Sequence, residues 1–266
     1  MCSSDLEGQG QPHRRVPEEG PVGAPVVSAL RPPSTVHREL VVVVSLLDII
    51  GPVMVGPSSS HTAGACRLGL LARNLVGGTP ERARIELHGS FARTGEGHGT
   101  DKAIAGGLMG FRPDDDRIRE ALDIADRDGL AYAFEKTTLG DDADVHPNTV
   151  RITVERGERT HVMLGASLGA GRVLVSEIDG FPVEVHGNHH TIVLVAEDVK
   201  GSIARIAGLL ADDGINIATL RLTRKHKGGD AFMVIEVDEA PAEHVRDHIR
   251  ALPWVRWTHR LDKVSA

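Results

Sequence analysis

The sequence contains very little cysteine, and this limits the metal and redox sites that the chain can build. Cys2 and Cys66 are the two cysteines among its 266 residues. A disulfide framework needs several pairs, and structural zinc or iron–sulfur sites take most of their three or four ligands from cysteine. We therefore expect no metal ligands from this chain, so any metal must come with a partner.

Aromatic rings and excess positive charge are also scarce. Aromatic residues make up 3% of the chain, and 37 acidic residues against 30 basic ones give a net charge of −7. Proteins that bind nucleic acids rely on basic patches and stacking rings, so this composition argues against a nucleic-acid partner. With so few rings, the core must be built from aliphatic residues and alanine.

Long apolar runs are missing as well. One stretch that begins at Leu40 resembles a membrane segment, but Ser45, Asp48 and the Gly51-Pro52 step interrupt it before the roughly 20 apolar residues that a spanning helix needs. It also begins too late for a signal peptide, because several acidic residues precede it. We expect a soluble, cytoplasmic protein with no membrane partner.

The composition changes along the chain in a way that predicts three segments. Residues 1–38 are rich in proline, glycine, serine and charge without periodicity, which predicts a disordered extension. Residues 39–187 mix helical and strand-like patterns, which predicts an α+β domain with a mostly antiparallel sheet. Residues 188–266 show the order β-α-β-β-α-β, which is typical of a ferredoxin-like sandwich.

The first candidate site is the serine-rich stretch at residues 56–64. It places Ser58, Ser59, Ser60, His61 and Thr62 at the start of a helix predicted over residues 61–76. The free N–H groups and the positive dipole end of a helix N-terminus hold anions. A carboxylate and a phosphate fit such a site equally well, and the alternative is a serine N-cap with idle neighbours.

The second candidate site, at residues 95–101, follows a strand predicted over residues 82–90. Its glycines predict a loop that opens a helix. Packing does not easily explain His98 between two glycines, whereas Asp101 by itself is most simply a helix cap. Residues 146–149 predict an ordinary turn, residues 165–171 a hairpin or bulge, and Cys66 a packed thiol.

Together these stretches resemble the β subunit of the two-subunit, iron–sulfur-dependent L-serine dehydratase. The resemblance is carried by Asp48-Ile49-Ile50-Gly51-Pro52, the serine-rich stretch, Gly89-Ser90-Phe91, Gly97-His98-Gly99-Thr100-Asp101 and His146-Pro147-Asn148-Thr149. From about His190 the chain resembles an ACT domain, with Asp198-Val199-Lys200-Gly201 and Gly214-Ile215-Asn216-Ile217 around its first helix. The first domain also resembles the regulatory substrate-binding domain of some D-3-phosphoglycerate dehydrogenases.

The resemblance implies an L-serine ammonia-lyase that forms pyruvate and ammonia without pyridoxal phosphate. It implies an α subunit whose cysteines bind a four-iron four-sulfur cluster, with an open iron that acts as a Lewis acid on the substrate hydroxyl. It assigns catalytic roles to His61 and His98. It assigns substrate binding to Ser59, Ser60, Thr62, Thr100 and Asp101. It assigns ACT regulation to Asp198, Gly201 and Asn216.

Two positions depart from the pattern of the family. The glycine triplet of the family is Gly169-Ala170-Gly171 here, and Lys200 replaces the usual proline of the ACT turn. We also expect further oligomerisation through the ACT domain. The alternative function, from a different class, is a non-catalytic, amino-acid-sensing regulatory module.

Overall fold

The structure is a computed structural model that describes residues 53–140, 145–224 and 226–265. The predicted disordered extension, the apolar stretch that begins at Leu40 and the motif at residues 48–52 lie outside the described residues. No helix within the described ranges is long and apolar enough to cross a membrane.

The first domain is built on a six-stranded sheet. Its strands are β1 (Arg82–Leu87), β2 (Ala131–Lys136), β3 (Thr149–Arg156), β4 (Arg159–Gly169), β5 (Arg172–Ile178) and β6 (Phe181–Val185). Their order across the sheet is β2-β1-β3-β4-β5-β6. β1 and β2 are parallel, and the other pairings are antiparallel. The prediction of a mostly antiparallel α+β domain is confirmed.

Helices cover the apolar face of this sheet. They are α1 (Ala65–Val76), α2 (Gly89–His98), α3 (Thr100–Met109) and α4 (Ala121–Arg127), with a 3-10 turn over Asp116–Glu120. Ala83 and Ile85 of β1 are buried, whereas Arg82 and Arg84, which alternate with them, are exposed, as the geometry of a strand requires. Glycine allows α1 and α3 to pack closely, since a Cβ atom at Gly107 would lie 2.1 Å from the carbonyl oxygen of Cys66.

The helix predicted over residues 61–76 is confirmed, and its first turn is π-helical over Ser59–Gly64 before α1 begins. Two other local predictions for the first domain are wrong. The strand predicted over residues 82–90 ends at Leu87, and α2 begins at Gly89. The predicted glycine loop at residues 95–101 is the end of α2 and the start of α3, joined at Gly99 with φ +71°. Glycine disfavours helix by propensity alone, and here tertiary packing overrides that preference.

The C-terminal unit has a four-stranded antiparallel sheet with two helices. Its elements are β7 (His190–Glu197), α5 (Ser202–Asp212), β8 (Ile217–Arg224), β9 (Asp230–Val237), α6 (Glu243–Arg250) and β10 (Val255–Leu261). The strand order is β10-β7-β9-β8. Ile192, Leu194 and Met233 form a buried core with Ile206 and Ile249 of the helices. The predicted ferredoxin-like order is confirmed.

The opposite face of the C-terminal sheet packs against the first domain. Val193, Val195 and Phe232 belong to the same buried cluster as the core of the six-stranded sheet. Phe232 stacks on Phe181 of β6, with ring centroids 5.0 Å apart. The described parts of the two sheets therefore share one apolar core.

Candidate active site

The serine-rich stretch forms a π-helical turn that leads directly into α1. Ser58 caps this turn, because its hydroxyl oxygen accepts a hydrogen bond from the backbone N–H of His61 at 3.2 Å. Ser59 and Ser60 lie half-buried within the turn. π-helical turns occur often at functional sites. The N-cap alternative thus accounts for Ser58 and leaves the next two hydroxyls for another role.

Two glycines allow the serine turn to lie directly on the sheet. A Cβ atom at Gly64 would lie 2.0 Å from Oγ of Ser167 in β4, so any larger residue would push the turn and the strand apart. At Gly56, a Cβ atom would lie 2.3 Å from Oγ1 of Thr62. The position of the turn therefore depends on the absence of side chains at these two residues.

The ring of His61 extends from the turn to α2, where it contacts two hydroxyl groups. Its Nε2 atom lies 3.1 Å from Oγ1 of Thr94 and 3.3 Å from Oγ of Ser90. The Thr94 hydroxyl donates its own hydrogen to the carbonyl oxygen of Ser90, so it accepts from Nε2–H of His61. Nδ1 of His61 is then unprotonated, and it accepts a hydrogen bond from Oγ of Ser58 at 3.4 Å.

The surroundings of His61 favour its neutral form. Burial is the main cause that lowers the pKa of His61, and the neighbouring His98 lowers it further, against a hydrogen bond with the Ser90 backbone that raises it. The two imidazole rings have centroids 5.0 Å apart, and Phe91 packs edge-on against His61 at 5.3 Å. A neutral imidazole near pH 7 is able to accept a proton.

His98, from the second candidate site, contacts His61. It is exposed, and its Nδ1–H donates to the carbonyl oxygen of Thr94 at 3.0 Å. Thr100 is fully buried behind Gly95. Asp101 lies in the first turn of α3 and accepts a hydrogen bond from the N–H of Lys102 at 2.9 Å, where a carboxylate stabilises the helix. The roles of Thr100 and Asp101 in substrate binding stay predictions.

The turn between β4 and β5 lies beside the serine turn. A Cβ atom at Gly169 would lie 3.9 Å from Oγ of Ser60. The buried guanidinium group of Arg67 in α1 donates to the carbonyl oxygen of Gly171 at 2.5 Å and thereby fixes the far side of the turn. The prediction of a hairpin or bulge at residues 165–171 is confirmed. Ala170 has φ +51°, a conformation that favours glycine.

The loop at residues 146–149 holds the start of α2. The carbonyl oxygen of Pro147 accepts hydrogen bonds from the N–H groups of Ser90 at 2.6 Å and Phe91 at 3.4 Å. The side-chain amide of Asn148 donates to the carbonyl oxygen of Ser167 at 3.4 Å. The loop therefore positions the helix that carries the hydroxyl partners of His61.

Several buried polar atoms near the serine turn lack a hydrogen-bond partner within the described residues. They are Oγ1 of Thr62, Oγ of Ser167 and Oδ1 of Asn148. An unsatisfied buried polar atom costs about 1–3 kcal/mol, so native proteins satisfy such atoms with protein, water or ligand. These three atoms indicate a polar site beneath the turn.

Sequence reasoning assigned no role to Ser90 and Thr94, the hydroxyl partners of His61. They lie four residues apart in α2 and so share one helix face. The strand predicted through Ser90 concealed this spacing, because strand residues alternate between two faces. Ser167 and Gly169 were missed because they lie far along the chain from the serine turn and meet it only through the sheet.

Cys66 lies in the core next to the turn. Its thiol is fully buried and donates to the carbonyl oxygen of Phe111 at 3.2 Å, and burial raises the pKa of Cys66 to about 12. A protonated thiol is a poor nucleophile and a poor metal ligand. The prediction of a packed thiol is confirmed. The described residues include no group of three or more His, Cys, Asp or Glu side chains placed to hold a metal ion.

The three residues predicted for ACT regulation do not come together within one chain. The Asp198 carboxylate accepts hydrogen bonds from the Gly228 N–H at 3.1 Å and from Arg224 at 2.7 Å, and these two contacts, in that order, lower the pKa of Asp198. Gly201 precedes α5 with φ +83°. Asn216 donates to Asp238 at 2.7 Å, at the opposite end of the sheet from Asp198.

Comparison with known proteins shows to which family this sequence is similar. The family described as Serine dehydratase beta chain matches residues 45–177, and the ACT domain family matches residues 190–253. The probable L-serine dehydratase beta chain of Bacillus subtilis is 46% identical over 79% of this chain and 94% of its own length. The L-serine dehydratase beta chain of Peptoniphilus asaccharolyticus is 39% identical over 77% and 92%.

A more distant relative is the D-3-phosphoglycerate dehydrogenase of Synechocystis. It is 26% identical over 71% of this chain, but that match covers 34% of the dehydrogenase. The two beta chains are more similar to this chain than the dehydrogenase is, and the match covers almost their whole length. The resemblance indicated by the sequence motifs is therefore confirmed, and this chain belongs to the serine dehydratase beta chain family.

Proposed function

We propose that this chain is the β subunit of an L-serine ammonia-lyase, which converts L-serine to pyruvate and ammonia together with an α subunit. The relatives that it covers almost completely are named L-serine dehydratase beta chains. The observation that carries the proposal is the neutral imidazole of His61, which lies among hydroxyl groups at the start of a helix.

Removal of the α-proton is the step that most needs help from the protein. This proton is weakly acidic, and the adjacent carboxylate opposes the formation of a carbanion. His61 has an unprotonated Nδ1, which a long hydrogen bond from Ser58 orients, and its lowered pKa favours the neutral form, so we assign proton transfer to it. His98 is exposed and its ring lies against that of His61, so we place it at the same site.

Neutralisation of the substrate carboxylate lowers the same barrier. Hydroxyl and N–H donors aimed at developing negative charge stabilise the transition state. Ser59 and Ser60 lie in the turn that begins the helix, so we assign the carboxylate to them. The buried Oγ1 of Thr62, which has no partner within the described residues, is placed to support them from beneath.

We place the iron–sulfur cluster on the α subunit. When bound, it supplies an open iron that polarises the hydroxyl group of serine. Cys66 does not fit as one of its ligands, because the thiol is buried, donates to a backbone carbonyl and has a pKa of about 12. The steps assigned to this chain are therefore substrate binding and proton transfer.

The ACT domain is the proposed regulatory part of the chain. Asp198 and Gly201 lie at one end of its sheet, and Asn216 lies at the other end. An effector site that uses all three residues therefore needs a second copy of the chain. This requirement agrees with the expectation of oligomerisation through the ACT domain.

The test is a His61→Asn variant in the complex reconstituted with the α subunit. Loss of a group that acts in the transition state should lower kcat/KM for serine by about 10²–10³-fold at unchanged cluster content. His248→Asn, which alters an exposed histidine on α6, is the matched control and should keep full activity.

Two results would contradict the proposal. Full specific activity of His61→Asn would show that the serine turn is structural. Failure of the chain to bind a cluster-bearing partner, with amino-acid binding by the chain alone, would favour the non-catalytic sensing module.

A further inference from the structure

A cavity of about 380 Å³ lies where β4 of the first domain meets the ACT domain. Its lining residues are Arg159, Arg250, Arg256, Trp257, Thr258 and His259. Half of this lining is arginine, although the chain as a whole has a net charge of −7. The volume falls in the range of about 300–1,000 Å³ that is typical of small-molecule sites.

The three guanidinium groups differ in how far their charge is compensated. Arg250 pairs with Asp247 and Arg256 pairs with Asp230, each at 2.9 Å, and both arginines remain more than half exposed. Exposed ion pairs of this kind are weak and exchange readily. Arg159 has no carboxylate partner in the described part of the chain, and its Nη1 donates to the carbonyl oxygen of Val76 at 3.4 Å. The cavity therefore has an excess of positive charge and of free N–H donors.

His259 lies close to two of these arginines. Burial is the main cause that lowers the pKa of His259, to about 4. Electrostatic interactions with His161, Arg159 and Arg250 lower it further, and Asp179 opposes them. The guanidinium groups of Arg159 and Arg250 therefore act electrostatically on the same position in the cavity.

We infer that this cavity binds a small dianion of the phosphate class between the first domain and the ACT domain. Guanidinium groups present parallel N–H donors that match pairs of phosphate oxygens. Arg159 belongs to β4, whereas Arg250 and Arg256 belong to the ACT domain, so one bound phosphate bridges the two. The ring of Trp257 forms an apolar wall that suits an organic group attached to the phosphate.

The first experiment is calorimetric titration of the full chain with inorganic phosphate at constant ionic strength. We expect saturable binding with a Kd below about 1 mM, and an at least about tenfold weaker Kd for Arg159→Gln and for Arg250→Gln. Arg127→Gln is the matched control, because Arg127 is also exposed and pairs with Asp128 at 3.0 Å. This control should leave the Kd unchanged.

Tryptophan fluorescence provides a second measurement of the same event. Trp254 and Trp257 are the two tryptophans of the chain, so in Trp254→Phe the emission comes from the cavity wall. Titration with phosphate should change this emission, and the phosphate concentration at the midpoint of the change should equal that found by calorimetry. A phosphate monoester that binds more tightly than inorganic phosphate would support an organic ligand, and equal or weaker binding would support free phosphate.

The proposal is overturned by either of two results. One is the absence of saturable binding up to about 20 mM phosphate, well above the range of specific small-ligand sites. The other is an equal loss of affinity in Arg127→Gln and in the two cavity variants, which would show non-specific attraction. Thermal unfolding of each variant distinguishes lost binding from lost fold, and Arg250 is exposed enough for its replacement to leave the fold intact.

Discussion

His259 links the stability of this protein to pH. Its ring lies against those of Trp257 and His161, with centroids 5.3 and 5.0 Å away. Burial, followed by electrostatic interactions with His161, Arg159 and Arg250, lowers the pKa of His259 from 6.5 to about 4. Asp179 opposes this shift but does not outweigh it.

These values define the pH range in which His259 acts on stability. Between about pH 6.5 and pH 4 the unfolded chain binds this proton more strongly than the folded chain, so acidification destabilises the fold. At pH 5, pKa values of 6.5 and about 4 correspond to a loss of about 2 kcal/mol relative to pH 7.5. A His259→Gln variant has no such proton to bind and should lose about 2 kcal/mol less over the same interval.

Urea unfolding of the full chain at pH 7.5 and pH 5.0 measures this difference. Other groups titrate in the same interval, so the informative quantity is the change in unfolding free energy of the wild type minus that of His259→Gln. His248→Gln, at an exposed position on α6, should behave as the wild type. An equal loss of stability in the wild type and in His259→Gln would refute the reasoning, because His259 would then titrate alike in both states.

Two further predictions concern glycine positions around the serine turn. Gly64→Ala should lower the unfolding free energy by about 1–3 kcal/mol, because the new Cβ atom would lie 2.0 Å from Oγ of Ser167. Ser167→Ala should recover part of that loss in the double variant, and additive losses would count against the contact. Ala170→Gly should raise the unfolding free energy by up to about 1 kcal/mol, since a left-handed conformation costs a non-glycine residue about 1–2 kcal/mol. A loss of stability there, measured by urea unfolding, would contradict this account.

The sequence by itself determined the order of most elements and the family of the chain. The apolar spacing of α1, the alternation along β3 to β6 and the βαββαβ order of the C-terminal unit are local patterns. Each depends on neighbours within a few residues, so each is visible in the sequence alone. The motifs that carry the family resemblance are local as well, so they are recognisable without a structure.

Local sequence patterns predicted the wrong secondary structure where tertiary packing opposes the intrinsic propensity of the residues. Residues 89–101 contain four glycines, which favour a loop, yet they form α2 and the start of α3. Gly95 is buried against Thr100, and Gly89 lies where a Cβ atom would meet the carbonyl oxygen of Pro147 at 2.5 Å. The helices persist because these close contacts compensate for the weak helix propensity of glycine.

The surroundings of His61 and the arginine cavity were decided by the tertiary structure alone. Ser90 and Thr94 reach His61 because α2 packs beside the serine turn, and Gly169 reaches Ser60 because β4 ends there. Arg159 and Arg250 line one cavity only because the two sheets share a core. Contacts of this kind join residues that are far apart along the chain. A periodic sequence pattern predicts which face of a helix or strand is buried, but it does not predict which distant element packs on that face.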